Sequence, residues 1–216
     1  MYKFIWWNMS YSDVKYVDNA PLYYRFFKRL LDIIVSIFGM VVSFPFFLGC
    51  CILIKLEDGG SIIFKQQRVG YKGRFFNLYK LRSMTEKAEA DGKPHLCEVE
   101  DKRLTRIGHF LRVHHLDEIP QLWNVLIGDM SFVGPRPERK YFIDKISAEN
   151  PHYEDLFVLR PGLFSRATLY NGYTDTMEKM LIRLDMDLEY LRVRCLWEDT
   201  KIVILTLYYI LTGRKF

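Results

Sequence analysis

Residues 33–54 form a run of 22 residues without a formal charge, and this run constrains the fold more than any other feature. A straight helix of that length would span roughly 30 Å, the thickness of the hydrocarbon core of a bilayer. Pro45 lies near the middle of the run, where proline removes a backbone donor and clashes with the preceding turn. The run therefore predicts a membrane helix with a sharp kink or a break at Pro45.

Basic residues flank this run on both sides, whereas a simple transmembrane span concentrates them on its cytoplasmic side. They are Arg25, Lys28 and Arg29 before the run and Lys55, Lys65, Arg68, Lys72 and Arg74 after it. We therefore expect a re-entrant helix whose two ends lie on one side of the membrane. Ser43 is the expected local hydrogen-bond partner for the backbone groups that Pro45 frees. The alternative is an ordinary kinked transmembrane helix.

Composition indicates one folded domain beside the membrane element. The chain has 216 residues, of which 50% are apolar and 16% aromatic, and its formal charge is +5. The charge is modest and concentrated beside the apolar run, which favours a membrane surface or anionic substrates over nucleic acid. The cysteines lack the spacing of a zinc site and are interpreted as reduced packing residues. Residues 1–18 contain no continuous apolar core of a cleavable signal peptide.

The remaining sequence predicts an α+β domain that is mainly helical. A β-hairpin is expected over residues 61–68 and 75–81, with its turn at Lys72-Gly73. Residues 86–100 are polar and predict a loop or a weak helix. The apolar spacing predicts further helices over 101–115, 121–127, 137–147 and 176–196, the first of them capped by Asp101. Residues 202–211 are too few to cross a bilayer and predict an amphipathic helix at the membrane interface.

Two adjacent carboxylates, Asp117 and Glu118, stand among arginines in the sequence. The arginines are Arg103, Arg106 and Arg112 before the pair and Arg136 and Arg139 after it. Such a segment can hold a polyanion while offering a carboxylate for nucleophilic attack or metal binding. The alternative is structural, because acids are favoured at the positive end of a helix dipole and Pro120 suits a first helical turn.

Short sequence blocks, in one order over almost the whole chain from Lys28, carry a resemblance to a known family. The blocks are KRLLD (28–32), FKQQRVG (64–70), YKLRSM (79–84), TRIG (105–108), FLR (110–112), LDEIPQ (116–121), GDMS (128–131), GPRP (134–137) and RPG (160–162). With them the chain resembles the bacterial sugar transferases that act on polyprenyl phosphate, the small monotopic phosphoglycosyl transferases. The resemblance implies a juxtamembrane segment (1–27), a re-entrant helix-break-helix (28–56) and a catalytic domain on the cytoplasmic face (57–216).

The resemblance also implies an activity and the residues that perform it. A sugar 1-phosphate would pass from a UDP-sugar to polyprenyl (undecaprenyl) phosphate with release of UMP, which initiates the assembly of a surface glycan. Asp117 would be the nucleophile that forms an aspartyl-phosphosugar intermediate, and Glu118 would hold Mg²⁺. Arg112 and Arg136 would clamp the phosphates, and the further candidates for this anion site are Lys80, Arg82 and Arg160.

The implied location is the inner (cytoplasmic) membrane of a bacterium, with the polyprenyl phosphate lipid and a nucleotide sugar as partners and no nucleic acid. The alternative function is a non-catalytic membrane adaptor, in which the basic face binds acidic lipid and the two acids cap a helix. Residues 163–168 depart from the small, glycine-containing stretch that is usual after the RPG block, so an unusual sugar preference is expected. The sequence leaves open which sugar and which glycan are involved and whether the protein forms a homodimer.

Overall fold

The computed structural model describes residues 18, 20–86, 88, 101–172, 174 and 176–212. The expectations for residues 1–17, for most of the 86–100 loop and for Cys97 lie outside these residues. Within them, the helices are α1 (Leu22–Asp58), α2 (Arg106–Val113), α3 (Gln121–Ile127), α4 (Lys140–Glu149), α5 (Arg166–Asn171), α6 (Met177–Val193) and α7 (Leu196–Thr212). The strands are β1 (Ile63–Val69), β2 (Phe75–Leu81), β3 (Ser131–Val133) and β4 (Gly162–Phe164). The domain is mainly helical, as the sequence predicts.

Helix α1 carries the apolar run and presents most of it to the outside. In the described part of the chain it is the one helix that is long and apolar enough to cross a membrane, and only 11% of its apolar window is buried. Its exposed side chains include Leu30, Ile34, Ile37, Phe38, Val41, Phe44, Phe46, Leu48 and Ile52. A contiguous apolar surface of this kind marks a site of contact with lipid or with another protein.

Both ends of α1 are fastened to the same domain. Near its start, Arg29 donates hydrogen bonds of 2.7 Å to the carbonyls of Val125 and Leu126, at the end of α3. Near its end, Cys50 and Ile54 pack against Leu81 of β2 and Leu111 of α2. The backbone N–H of Ile107 also donates to Glu57 at 3.0 Å, and Arg82 pairs with Asp58. The first and last turns of the helix therefore contact one folded body.

The helix continues through Pro45 without an intervening non-helical residue, so the predicted turn within a membrane stays a prediction. The expectation for Ser43 is wrong, because its buried Oγ has no hydrogen-bond partner among the described residues. A helical serine hydroxyl reaches the carbonyls three and four residues before it. The carbonyl that Pro45 deprives of its donor belongs to Val41, only two residues before Ser43.

The β-hairpin is confirmed within two residues at each end. Strands β1 and β2 are antiparallel, in a register that pairs Ile63 with Leu81 and Val69 with Phe75, and a helical turn at Tyr71–Gly73 joins them. Asn124 of α3 connects to this hairpin. Its Oδ1 accepts a 3.1 Å hydrogen bond from the N–H of Tyr79, and its Nδ2 donates at 2.8 Å to the carbonyl of Asn77. The fully buried amide therefore holds α3 on β2.

A second pair of strands was not predicted. Strands β3 and β4 are parallel, with Ser131 beside Gly162 and Val133 beside Phe164. Two glycines allow this close approach: a Cβ on Gly134 would lie 2.4 Å from the carbonyl oxygen of Arg160, and one on Gly162 would lie 2.2 Å from the nitrogen of Gly134. Strands of three residues are too short to produce a period-two pattern in the sequence.

Helix α2 begins later than expected, and Asp101 is not its cap. The cap is Thr105, whose hydroxyl accepts a 2.9 Å hydrogen bond from the N–H of Gly108. Asp101 instead accepts from the backbone of Arg103, and Leu104 forms a bridge with Met84 that keeps this segment extended. Helices α3, α4 and α6 match the predicted ones within three residues at each end, and the predicted 202–211 helix lies within α7.

Four hydrophobic clusters join these elements into the domain. One packs α4 and α6 against the helical turns at Pro151–Val158, and another packs α7 against β3 and the end of α6. The third joins the end of α1 to β2 and α2, and the fourth lies between α3, β2 and β3. The predicted leucine stripe of α6, formed by Leu184, Leu188 and Leu191, is buried as expected.

Candidate functional site

The carboxylate pair lies on a single helical turn, Leu116–Glu118, between α2 and α3. His115 precedes the turn with a φ of +54°, a left-handed conformation that is uncommon for a residue other than glycine. This conformation ends α2 and redirects the chain, so that Asp117 faces the interior while Pro120 leads into α3. Asp117 is 5% exposed.

Lys80 of β2 provides the cation nearest to both carboxylates. Its Nζ lies 2.6 Å from Glu118 Oε1 and 3.6 Å from Asp117 Oδ2. Arg136 approaches the same Glu118 oxygen at 3.8 Å from the side of β3. Three segments that are far apart in sequence therefore meet at this pair of acids.

Burial and these cations set different pKa values for the two carboxyls. Burial raises the pKa of Asp117, and the negative charge of Glu118 raises it further, against the effects of Lys80 and Arg112. Burial also acts on Glu118, but there Lys80 and Arg136 prevail and lower its pKa to about 2. Glu118 is consequently an anion at any physiological pH, whereas the charge of Asp117 depends on the cations that surround it.

Asp117 lies at the junction of two clefts. The first has a volume of about 300 Å³ and is named here the apolar cleft, because its walls include Ile119, Leu122, Leu163, Phe164, Leu169 and Ile210. The second, of about 490 Å³, is named the arginine-rich cleft, because Arg68, Arg82, Arg103 and Arg139 line it. Six residues line both clefts: Lys80, Arg112, Asp117, Arg136, Thr174 and Arg183.

The apolar cleft opens beside the apolar helices. Leu122 on its wall touches α1, since a Cβ on Gly39 would lie 3.3 Å from the Leu122 side chain. Thr206 and Ile210 of α7 form another part of the wall. An apolar ligand in this cleft would therefore lie next to the exposed face of α1.

A buried ion network, which the sequence did not predict, supports the wall between the clefts. Glu138 accepts from Arg183 of α6 at 2.7 Å and from Arg68 of β1 at 3.2 Å. Glu138 follows Arg136 by two residues, so the network fixes the segment that carries Arg136. A sequence signal exists for Arg183 alone. It lies four residues before Asp187, and both charged residues stand next to the buried leucines of α6, so they fall on the buried face of that helix.

Asp187 is a buried acid beneath the apolar cleft. Its Oδ1 lies 3.4 Å from the hydroxyl of Ser165, which caps α5 and lines that cleft. Burial raises the pKa of Asp187 to about 7, although Arg183 and Ser165 favour its anion. The acid therefore holds its proton in the folded protein over a pH range in which it would be ionised in the unfolded chain.

The structure brings together most of the predicted site residues. Lys80, Arg112 and Arg136 surround Asp117 and Glu118. Arg82 lines the arginine-rich cleft, where it pairs with Asp58 and Glu86. Arg160 lines neither cleft at Asp117; its Nε donates at 2.9 Å to the carbonyl of Gly128, at the end of α3.

Comparison with known proteins identifies the family of this chain. The family model described as "Bacterial sugar transferase" matches residues 23–213. The chain belongs to this family. The matched segment thus covers α1 from its second residue and the described domain that follows, including both clefts.

Individual members of the bacterial sugar transferase family are similar over most of this chain. A UDP-N-acetylgalactosamine-undecaprenyl-phosphate N-acetylgalactosaminephosphotransferase from Aeromonas hydrophila is 39% identical over 90% of this chain and 45% of its own length. UDP-glucose:undecaprenyl-phosphate glucose-1-phosphate transferases from Caulobacter vibrioides and Escherichia coli are 40% and 38% identical. They are matched over 86% and 91% of this chain and over 70% and 44% of their own lengths. The chain thus spans less than half of two of these three relatives.

Replacing Asp187 by asparagine should change how stability depends on pH. Between about pH 4, near the pKa of an aspartate in an unfolded chain, and about pH 7, the unfolded state binds fewer protons than the folded state. Stability of the wild type should therefore fall as pH rises through this window, by up to roughly 4 kcal/mol relative to Asp187→Asn. The test is to measure melting temperatures from pH 4 to pH 8 for the wild type, Asp187→Asn and the exposed control Asp144→Asn, which should follow the wild type. Parallel pH curves for the wild type and Asp187→Asn would contradict the prediction.

Proposed function

We propose that this protein transfers a sugar 1-phosphate from a nucleoside diphosphate sugar to undecaprenyl phosphate and so initiates the assembly of a surface glycan. The observation that carries the proposal is the position of Asp117, a buried carboxylate among cations where an apolar cleft meets an arginine-rich cleft. The relatives are named as transferases that use UDP-sugars and undecaprenyl phosphate, which supports the same substrates for this chain.

The arginine-rich cleft suits the donor. A nucleotide diphosphate is a polyanion, and planar guanidinium groups bind phosphate oxygens in pairs more effectively than lysine does. Arg112 and Arg136 stand beside Asp117, where the transferred phosphoryl group would lie, and Arg82 and Arg103 also line this cleft.

The apolar cleft suits the acceptor. Its walls of leucine, isoleucine and phenylalanine can bury the first isoprene units of the lipid, while the phosphate reaches the cations at Asp117. Because Leu122 on this wall contacts α1, the lipid would pass along the apolar helix that carries the protein on the membrane. Each substrate then approaches the carboxylate from its own side.

The reaction proceeds in two displacements at one phosphorus atom. A carboxylate oxygen of Asp117 attacks the phosphorus that bears the sugar, the bond to the bridging oxygen breaks, and UMP leaves with that electron pair. A phosphate oxygen of undecaprenyl phosphate then attacks the same phosphorus, and the aspartyl oxygen is released. Arg112 and Arg136 stabilise the negative charge on the phosphoryl oxygens in both steps.

Glu118 is the residue of this site that suits Mg²⁺. Among the described residues, no cluster of three or more histidine, cysteine or acidic side chains could hold a metal ion by itself. Mg²⁺ commonly uses one or two carboxylates and completes its shell with water and substrate phosphates, so Glu118, whose pKa is lowered by Lys80 and Arg136 against the effect of burial, is a suitable ligand. When bound, the ion would neutralise charge on the diphosphate. Lys80 already holds a positive charge between the two acids.

The proposed topology is re-entrant, with the domain on the cytoplasmic face of the bacterial inner membrane. Two features support it. The basic residues on both sides of the apolar run favour one side of the membrane, and both ends of α1 contact one domain. A helix that crossed completely would place these two contacts on opposite sides of the bilayer, where one polar domain could not make both.

Replacing Asp117 by asparagine should abolish product formation, by roughly a thousandfold or more, because the amide cannot form the acyl phosphate. The measurement is UMP release from a panel of UDP-sugars with undecaprenyl phosphate and Mg²⁺. Intact-mass analysis without the lipid should show a sugar-phosphate adduct on the wild type and on Asp144→Asn, the control, but not on Asp117→Asn. An active Asp117→Asn protein would refute the assignment of Asp117 as the nucleophile. A folded wild type that releases no UMP from any sugar of the panel would favour the alternative function, a non-catalytic membrane adaptor.

Removal of Mg²⁺ with EDTA should stop UMP release, and added Mg²⁺ should restore it. Glu118→Gln should need about tenfold more Mg²⁺ for half-maximal activity, because a neutral amide is a weaker ligand for a hard cation. The matched control is Glu154→Gln, an exposed site on the Pro151–Val158 turns, which should titrate like the wild type. Identical Mg²⁺ curves for all three proteins would remove Glu118 from the metal site.

The topology predicts where a membrane-impermeant thiol reagent can act. In a variant without the native cysteines, Tyr23→Cys and Leu56→Cys should both react from the cytoplasmic side of membrane vesicles and neither from the other side. Val41→Cys, in the middle of the run, should be protected from both sides. Reaction of the first two residues from opposite sides would identify α1 as a kinked transmembrane helix.

A further inference from the structure

A third cleft lies beside the start of α1 and shares no lining residue with the two clefts at Asp117. It is named here the entry cleft. Its volume of about 80 Å³ is far below that of ordinary pockets for organic ligands, so it fits a group the size of a phosphate rather than a nucleotide. The basic residues that line it are Arg25, Lys28, Arg29, Arg160 and Arg194.

The acids near these five cations are already engaged. Asp18 pairs with Arg25 at 3.0 Å and with Arg194. Asp32 accepts hydrogen bonds from Ser131 Oγ at 3.1 Å and from the N–H of Phe132 at 3.0 Å. These neutral donors leave the negative charge of Asp32 in place, and that charge stabilises the cation of Arg29. Lys28 is paired outside the cleft, with Asp199 at 2.6 Å. The five cations thus face three acids, Asp18, Asp32 and Asp199, so two positive charges are not balanced. Among the described residues, Arg29 and Arg160 are the two arginines of the cleft that form no salt bridge.

Those two arginines, Arg29 and Arg160, flank Gly128. Arg29 donates to Val125 and Leu126, and Arg160 donates to Gly128, so both bind carbonyl oxygens at the end of α3. In the described part of the chain neither forms a salt bridge with a carboxylate. A Cβ on Gly128 would lie 3.3 Å from Nη2 of Arg29 and 3.9 Å from Nε of Arg160. An anion beside them would relieve the repulsion between two guanidinium groups.

Arg194 supplies an independent sign of a missing acceptor. Its side chain is 8% exposed and lies over the ring of Tyr24, 5.5 Å from the ring centroid. Its Nε is buried and has no hydrogen-bond partner among the residues that the structure describes. A buried donor without an acceptor is costly, and an oxygen atom in the cleft would satisfy it.

The position of the cleft indicates the source of the anion. The same end of α1 exposes Leu22, Phe26 and Leu30 on its surface, so an acyl chain and a phosphate can be bound next to each other. Basic residues beside an apolar helix recognise the anionic headgroups of a membrane surface. We propose that the entry cleft binds the phosphate group of an anionic phospholipid. This binding is independent of the proposed sugar transfer, because it involves neither cleft at Asp117.

The test measures the melting temperature of the purified full-length protein in dodecyl maltoside. Dioleoylphosphatidylglycerol, dioleoylphosphatidylcholine and inorganic phosphate are added separately at equal concentration. Phosphatidylglycerol should raise the melting temperature of the wild type by about 3 °C or more, and phosphatidylcholine by less than about 1 °C. Arg160→Gln should lose at least half of the rise, whereas Lys140→Gln, an exposed charge change on α4, should retain it.

Arg194→Gln should lose the rise as well, and if that variant does not fold, Arg160→Lys should show an intermediate rise because it keeps the charge but loses the planar fork. Native mass spectrometry should find phosphatidylglycerol retained on the wild type and depleted on Arg160→Gln. An undiminished rise in Arg160→Gln, or equal rises with both phospholipids, would overturn the proposal. A full rise with inorganic phosphate and none with phosphatidylglycerol would assign the cleft to a soluble anion instead.

Discussion

Fastening a mostly exposed apolar helix to a polar domain is the constraint on which the rest of this structure depends. Carboxylates provide the attachments at both ends of α1. Asp32 binds the start of β3, and Asp199 of α7 accepts hydrogen bonds from Lys28 and from the hydroxyl of Tyr24. At the other end, Glu57 binds the start of α2. The domain therefore has a fixed orientation relative to whatever surrounds the apolar face of the helix.

The functional site uses the same principle, in which buried charge is tolerated because opposite charge reaches it from several elements. Lys80 comes from the hairpin, Arg112 from α2 and Arg136 from the segment after β3, and all three act on the acids between α2 and α3. No local sequence pattern links these three elements to one another. The site is formed only when the hairpin, α3 and the β3–β4 pair are packed together, which is what the buried Asn124 and the close glycines Gly134 and Gly162 achieve.

The sequence predicted those parts of the fold whose signal is local and periodic. The hairpin, α3, α6 and the long apolar helix follow from alternation, helical spacing and an uncharged run. The strands β3 and β4 lacked such a signal because each has three residues and their pairing joins positions about thirty residues apart. Residue type predicts Asp101 as a helix cap, whereas the bridge between Met84 and Leu104 decides the local structure.

The candidate site, like the fold, could be predicted only in part from the sequence. The grouping of Lys80, Arg112 and Arg136 around the acid pair came from family blocks, and the structure places them within one site. The network of Arg68, Glu138 and Arg183 is not predicted, because it joins side chains that are 45 and 70 residues apart and no local pattern links them. Arg160, a candidate for the same anion site, lines a different cleft for a related reason, since charge alone does not tell which of several basic surfaces an arginine faces.

The two clefts share one wall and differ in the others, and this division has an evolutionary consequence. Substitutions on the shared wall would alter the surroundings of both proposed ligands at once, so change there would be penalised twice. The outer walls belong to separate segments, chiefly α5 and α7 for one and the hairpin for the other. Lineages can therefore diversify preference for one ligand while inheriting recognition of the other unchanged.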